Sequence, residues 1–283
     1  MKKAEPELCI QQACRLFNVP ISSYYKQQEQ VIGNPNEEFI ISRIKYIHDD
    51  NLQCYGRRRM LKALQNEGVD IGIFKVARLM KEAGVIAKTP KKPHYYPSGN
   101  EMPNIPNLLK RKFNPETINT HWVGDITYIR NHQGWSYLAT VLDLGTKEII
   151  GYALSQTPDA QLAKKALINA IAFAQPDTRQ LMFHSDQGVQ YSANLFKDCL
   201  SLHGITQSMS RRGNCWDNAV QERFFRSLKS EYLNGLNGLT FLNHDSVVHA
   251  TTYYIRYYNN KRLNSAIDYI VPAQKRRILS NVA

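Results

Sequence analysis

The stretch HWVGDITYIRNHQGWSYLATVLDLGTKEIIGYALS, residues 121–155, decides the fold. Within it, HWVGDITYI (121–129), WSYLATVLD (135–143) and EIIGYALS (148–155) are rich in aromatic and β-branched residues and are separated by Gly-containing turns. That composition predicts three successive antiparallel strands. Downstream, DAQLAKKALINAIAFA (159–174) predicts a helix, LMFHSD (181–186) a strand, and ANLFKDCLSLHG (193–204) a helix closed by Gly204. ITQSMS (205–210) predicts a short strand, and GNCWDNAVQERFFRSLKSE (213–231) a final helix behind a loop. The order β-β-β-α-β-α-β-α predicts an α/β domain, a mixed sheet covered by helices.

Upstream the character changes. IQQACRLFNVPISSYYK (10–26), with a turn at Asn18-Val19-Pro20 and Ser22 and Ser23 as candidate caps, reads equally as a helix-turn-helix and as two short packing helices. A second helical group runs to about residue 86: RRRMLKALQNEG ends in Gly68, and FKVARLMKEAGV spaces Val76, Leu79, Met80 and Ala83 helically before Gly84. Its polar side carries Lys75 and Arg78, and the preceding helix opens on Arg57, Arg58 and Arg59. DNA contact and an ordinary solvated face account for these charges equally well. Half of the chain's 12 prolines then fall between 87 and 119, among lysines. The expected organisation is an N-terminal helical segment (1–35), a helix-turn-helix region (36–86), a basic proline-rich linker (87–119), a catalytic core (120–235) and a basic helical tail (236–283).

Charge sharpens that division. The 283 residues carry a net charge of +12, which calls for a polyanionic partner, nucleic acid or an acidic membrane surface. Residues 43–112 hold 15 basic against 6 acidic side chains, 113–210 hold 6 against 8, and 211–283 hold 11 against 5. A slightly acidic centre between basic flanks suggests a metal-binding or catalytic centre with polyanion grips on either side. No apolar run is long enough to cross a bilayer, and MKKAEPELCIQQAC is a poor signal peptide, so the cytoplasm is the expected location. Five cysteines without a Cys-x-x-Cys pair or a Cys/His quartet argue against a disulfide framework and a structural zinc site.

Asp125 lies mid-strand among apolar residues, where an unpaired carboxylate is costly. Asp186 ends a strand just before Gln187-Gly188, a usual place for active-site groups in α/β sheets. On the final helix, advancing about 100° per residue gathers Val220, Phe224, Phe225, Leu228 and Tyr232 on one arc, with Glu222, Arg226 and Lys229 on another. Taken singly, these charges also read as a solvent-facing ion pair, a turn former and a cap (Asp217); Asp143 and Glu148 read as edge charges beside a hairpin. If Asp125, Asp186 and Glu222 converge, three carboxylates repel unless a cation sits among them. Oxygen donors without His or Cys favour Mg2+ or Mn2+. Two such ions about 3.5–4 Å apart would clamp both oxygens of an in-line phosphoryl displacement.

Asp125 and Asp186 are separated by 60 residues, Asp186 and Glu222 by 35, and Lys229 stands seven beyond the glutamate. With NLLKRKF (107–113), HWVGDITYI, FHSDQGVQYSA (183–193) and GNCWDNAVQERFFRSLKSE, this pattern strongly resembles the OrfB-type transposases of bacterial insertion sequences. YGRRRMLKALQNEGVDIGIFKVARLMKEAGV (55–85) is similar to that family's helix-turn-helix segment, and YYNNKRLNSAIDYIVPAQ (257–274) to its tail, where Asn264 replaces a frequent His and Val271 a frequent Thr.

The resemblance implies a ribonuclease-H-like DDE core in which Asp125, Asp186 and Glu222 hold two Mg2+ or Mn2+ ions. It implies cleavage at DNA element ends and strand transfer into a target. The partners would be duplex DNA, further copies of the chain on that DNA, and an upstream-frame protein or fusion. Lys229, Arg226, Arg211 and Arg212 are the expected DNA contacts of the core, with Trp216 either a wedge against a nucleotide or a loop anchor. Two rival classes are a ribonuclease-H-like nuclease that only hydrolyses and a DNA-binding repressor.

Overall fold

The computed structural model describes residues 9–25, 35–88, 105–210, 218–233 and 241–281, and the chain divides into two compact units. One comprises residues up to 50 together with 55–87; the other comprises 51–54 and 88 onward.

The first unit is helical. Helix α1 (Ile10–Leu16) is followed by a turn at Asn18, whose φ of 50° is left-handed, and a helical stretch at 21–25. Ser22 and Ser23 therefore lie inside that stretch, and the Pro20 carbonyl receives the Ser23 and Tyr24 amides. Helices α2 (Pro35–Asp50), α3 (Arg57–Asn66) and α4 (Ile73–Glu82) share a core of Ile40, Ile44, Ile47, Met60, Leu64, Val76, Leu79 and Met80. Gly68 and Gly84 stop α3 and α4 at φ values of 83° and 69°, where a side chain would be strained. Arg43 forks onto Glu67 at 2.7 and 3.0 Å, tying α2 to the end of α3.

The second unit is built on a five-stranded sheet of β1 (His121–Asn131), β2 (Gly134–Asp143), β3 (Ile149–Ser155), β4 (Met182–Ser185) and β5 (Thr206–Met209), ordered β3-β2-β1-β4-β5. The first three strands form an antiparallel meander, and β4 and β5 run parallel to β1. This is the ribonuclease-H-like arrangement, a mixed sheet with helices on its faces.

Period-2 alternation splits the sheet's side chains between two cores. Trp122, Ala139, Val141, Ile150 and Ala153 face helices α5 (Ala160–Ala174), α6 (Val189–Ser192) and α7 (Asn194–Leu202). Val123, Ile129, Leu138, Leu142 and Ile149 face helices α8 (Ala219–Ser227) and α9 (His244–Asn260); α10 (Pro272–Ser280) closes the described chain.

The tail at 236–283, set apart from the core by composition, supplies part of that second core. Val247, Tyr254, Ile255, Tyr257 and Tyr258 of α9 are buried there, and the Phe224 and Tyr258 rings meet edge to face at 4.9 Å. Leu109, from the proline-rich segment, is buried in the same cluster.

Beyond Ser227 the helix widens. Leu228–Leu233 is a π-helix, so the 100° spacing expected from the sequence ends at Leu228, and Lys229 lies past the change. The stripe of Phe224, Phe225 and Leu228 is buried as expected. A buried ion pair accompanies the π-turn: Arg262 forks onto Glu231 at 2.5 and 2.6 Å, and the Tyr254 hydroxyl donates to Glu231 at 2.8 Å.

Asp143 and Glu148 are buried, not edge charges. Asp143 accepts from the Asn119 and Thr146 amides and from the Thr146 hydroxyl, and Glu148 pairs with Arg276 of α10. The cation that offsets their burial, Arg276 of α10, is remote from both in sequence.

Candidate active site

Two parallel strands bring two carboxylates side by side. Val123 of β1 is paired with His184 of β4, and Asp125 and Asp186 each lie two residues beyond that rung. Neighbouring strands run roughly 4.8 Å apart, so the carboxylates leave the sheet on adjacent tracks. Asp125 keeps its own side chain close to the backbone, accepting from the Ile126 amide at 2.7 Å. Asp186 sits just past the end of β4 and accepts from the Gly188 amide at 3.0 Å, in the turn that starts α6. Glu222 occupies the first turn of α8, on the face of the sheet to which Asp125 points. Asp125 is half-buried, whereas Asp186 and Glu222 have exposed side chains.

The three acids feel one another. Asp125 is pushed well above the usual carboxylate range, first by loss of hydration and then by the charge of Asp186, with Glu222 adding to the rise. The Ile126 amide and the Lys229 ammonium oppose it. Asp186 is also raised by desolvation, against the Gly188 amide. Glu222 is raised by desolvation and by Asp186, and Arg226 pulls it down. Lys229 is half-buried; desolvation lowers its amine and the Asp125 charge holds it up. The Tyr191 hydroxyl behind them is raised by burial and by both aspartates.

Loss of hydration is the first cause for all three acids, repulsion adds to it at Asp125 and Glu222, and Lys229 and Arg226 are the positive neighbours. The carboxylates are not drawn into a closed cage: among the described residues no three His, Cys, Asp or Glu side chains are gathered closely enough to hold a metal ion as they stand.

The other residues singled out from sequence fall in different surroundings. Arg226 is exposed on α8, one turn beyond Glu222. Arg211, Arg212 and Trp216, with Asp217, lie outside the described residues. Arg57, Arg58 and Arg59 form the first turn of α3 in the helical unit; the first two are exposed, and Arg59 lies 5.9 Å over the Tyr55 ring. Three cations at a helix N-terminus oppose the helix dipole, a local cost that solvent exposure alone does not explain. Lys75 and Arg78 are engaged by Glu37 at 3.0 and 2.7 Å, and Arg78 also meets Glu82 at 3.3 Å. They are partly neutralised, not a free basic stripe.

Sequence reasoning passed over Thr140, Asn218 and Gln221, all buried beside the acids. The only signal was polarity on a helix arc otherwise made of Phe, Leu and Val.

Residues 115–215 and 203–272 match two models described as integrase core domain, and residues 35–93 match an HTH-like domain. The chain is 36% identical over 264 residues to the insertion element IS600 uncharacterized 31 kDa protein of Shigella sonnei, covering 92% of this chain and 96% of that protein. It is 34% identical to the putative transposase InsK for insertion sequence element IS150 of Escherichia coli, covering 93% and 91% respectively. It is 32% identical to the transposase for insertion sequence element IS904 of Lactococcus lactis, covering 83% and 92%. Among solved structures, the HTLV-2 integrase catalytic core domain in complex with magnesium is similar over 56% of this chain and 96% of that one, at 15% identity and a TM-score of 0.44.

Proposed function

We propose that this chain, which belongs to the insertion-sequence transposases with an integrase catalytic core, cuts and joins DNA at the pocket of Asp125, Asp186 and Glu222. It is a DNA transposase, acting in DNA integration and recombination. The observation that carries the site assignment is the placement of Asp125 and Asp186 two residues past one β1–β4 rung, with Glu222 on the helix covering the same face.

The donor set fits a divalent cation. The three acids offer only hard oxygen ligands, and each has its negative form disfavoured by its surroundings. Asp125 and Asp186 would hold the metal from the sheet, and Glu222, exposed on its helix, would close on them from above. When bound, two Mg2+ or Mn2+ ions supply the charge that stabilises the attacking and leaving oxygens of an in-line displacement.

The chain's own groups do the rest. Lys229, held in the field of Asp125, orients the scissile phosphate, and Arg226 gives the DNA backbone a second cation. Water gives up a proton as it attacks phosphorus at an element end, and the 3′-oxygen leaves and takes a proton. That 3′-hydroxyl then loses its proton as it attacks phosphorus of a target phosphodiester, and the target strand's own 3′-oxygen leaves and is protonated. Two ends joined to one target need more than one active site, so the working form is a homo-oligomer on duplex DNA. An upstream-frame protein or fusion would add end recognition.

Arg57, Arg58 and Arg59 are the leading phosphate contacts of the helical unit; Lys75 and Arg78 would exchange Glu37 for phosphate. Arg211 and Arg212 remain the proposed DNA contacts of the core, with Trp216 either a wedge against a nucleotide or a loop anchor. No helix among the described residues is long and apolar enough to cross a membrane. The test is incubation with the DNA ends that flank its own gene, plus magnesium, with every product strand mapped. Joined strands support transposition; hydrolysis alone would make the protein a nuclease, and binding without cleavage a repressor.

A further inference from the structure

Gln221 is fully buried in the first turn of α8, next to Glu222, and its amide donates to the Thr140 hydroxyl. Thr140 is buried on β2 as the cross-strand partner of Asp125 in the β1–β2 ladder. Directly paired residues share a sheet face, so Thr140 and Asp125 stand together under the helix. One turn earlier, the buried Asn218 reaches the Gly124 carbonyl at 3.4 Å. From the opposite face Phe183 seats against Gly124: a Cβ there would lie 2.3 Å from its ring. The strand segment carrying Asp125 is thus held from both sides, and the helix carrying Glu222 is fastened to it twice.

These amides are a poor choice for stability alone. The Gln221 Oε1 and Asn218 Oδ1 atoms are buried with no hydrogen-bond partner among the described residues. An unpaired buried acceptor is destabilising, whereas Leu or Met at 221 would continue the arc of Phe224, Phe225 and Leu228. A polar group kept at such a cost specifies one arrangement among several apolar alternatives.

We propose that Gln221 is a positioning residue: its bond to Thr140, backed by Asn218 on Gly124, sets the span between the strand carboxylate of Asp125 and the helix carboxylate of Glu222. Apolar contacts tolerate sliding and rotation of α8, which would carry Glu222 away from the aspartates. The directional amide–hydroxyl bond does not. Gln221 touches no reacting atom; it acts through Glu222. The idea rests on the proposed metal-holding role of the three acids.

The test compares Thr140→Val, Thr140→Ser and Gln221→Met in the full-length protein. Three readouts are taken well below each variant's unfolding temperature: the magnesium concentration that half-saturates single-turnover end cleavage, the rise in Tm on adding Mn2+ alone, and affinity for end DNA without metal. Thr140→Val and Gln221→Met should raise the half-saturating magnesium about tenfold, the usual loss when a supporting partner of a ligand is removed, and shrink the Mn2+-induced Tm rise. Metal-free DNA affinity should hold, and Thr140→Ser, which keeps the hydroxyl, should match wild type. If Thr140→Val and Gln221→Met fold and keep the wild-type magnesium midpoint and Mn2+ response, the positioning role is wrong. If wild type itself neither cleaves nor responds to Mn2+, the site assignment fails instead, and the positioning role with it.

Discussion

Helices α5 and α8 lie on opposite faces of one sheet and solve the packing problem differently. In α5 the buried positions are Leu162, Ala163, Ala166, Leu167 and Ala170, small enough for the backbone to press onto the strands. At Gly151 of β3 a Cβ would come within 2.4 Å of the Ala166 carbonyl, so glycine is required there. The helix starts on an Asp159 cap accepting from the Leu162 amide at 2.9 Å and ends at Gln175. Nothing polar is sacrificed. In α8 the buried side is bulky Phe interrupted by Asn218 and Gln221 with half-used amides, and the helix leaves α geometry at Leu228. One helix maximises contact; the other gives up contact, on the proposed positioning role, for the placement of Glu222.

The largest effects should come from the acids themselves. Asp125→Asn, Asp186→Asn and Glu222→Gln each remove a negative ligand while keeping shape, and each should abolish magnesium-dependent end cleavage. DNA binding should persist or tighten, measured by gel shift, because repulsion of phosphate falls. Normal cleavage by any one variant would remove that residue from the set.

The π-turn comes next. Arg262→Met strands the Glu231 carboxylate in a buried site and should cost about 3–5 kcal/mol in denaturant unfolding. The double replacement Arg262→Met with Glu231→Met should recover much of that stability. It should not recover cleavage, if the pair shapes the turn that aims Lys229. Full activity in the stable double variant would make the pair a packing feature only.

On the other face, Gly151→Ala should cost on the order of 1–3 kcal/mol by overpacking against α5. The cleavage rate of the folded fraction should stay at the wild-type value. A rate loss larger than the folded-fraction loss would show that the α5 face also serves the chemistry.

The last contrast is between two lysines. Lys229→Ala should lower single-turnover cleavage about 100-fold through a misplaced phosphate, with little change in overall DNA affinity, and Lys229→Arg should retain much of the activity. Lys164→Ala on α5 should leave the rate unchanged. Equal behaviour of the two alanine variants would reduce Lys229 to an ordinary helix charge.

Much of this contrast was legible in the sequence, for physical reasons. Aromatic and β-branched composition and turn glycines located the sheet, and a carboxylate inside HWVGDITYI could not be explained by packing. The Phe224–Phe225–Leu228 stripe announced which side of α8 is buried. The π-turn was invisible, because it accompanies Glu231 meeting Arg262, 31 positions later. Asp143 and Glu148 looked like surface charges for the same reason: Arg276, which offsets their burial, is remote in sequence. Lys75 and Arg78 read as a free basic face until α2 placed Glu37 against them. Gln221 gave no charge signal, and its meaning depends on Thr140, a partner fixed only by the β1–β2 register.

The most direct measurement is Mn2+ binding to the full-length protein with end DNA, followed by electron paramagnetic resonance without any reliance on turnover. Wild type should take up two ions per active site. Asp125→Asn and Asp186→Asn should each lose tight binding, Glu222→Gln should weaken it, and Lys164→Ala should bind as wild type does. Unchanged Mn2+ uptake in all three acid variants would contradict the account, because the carboxylates brought together by β1, β4 and α8 would then not hold the metal.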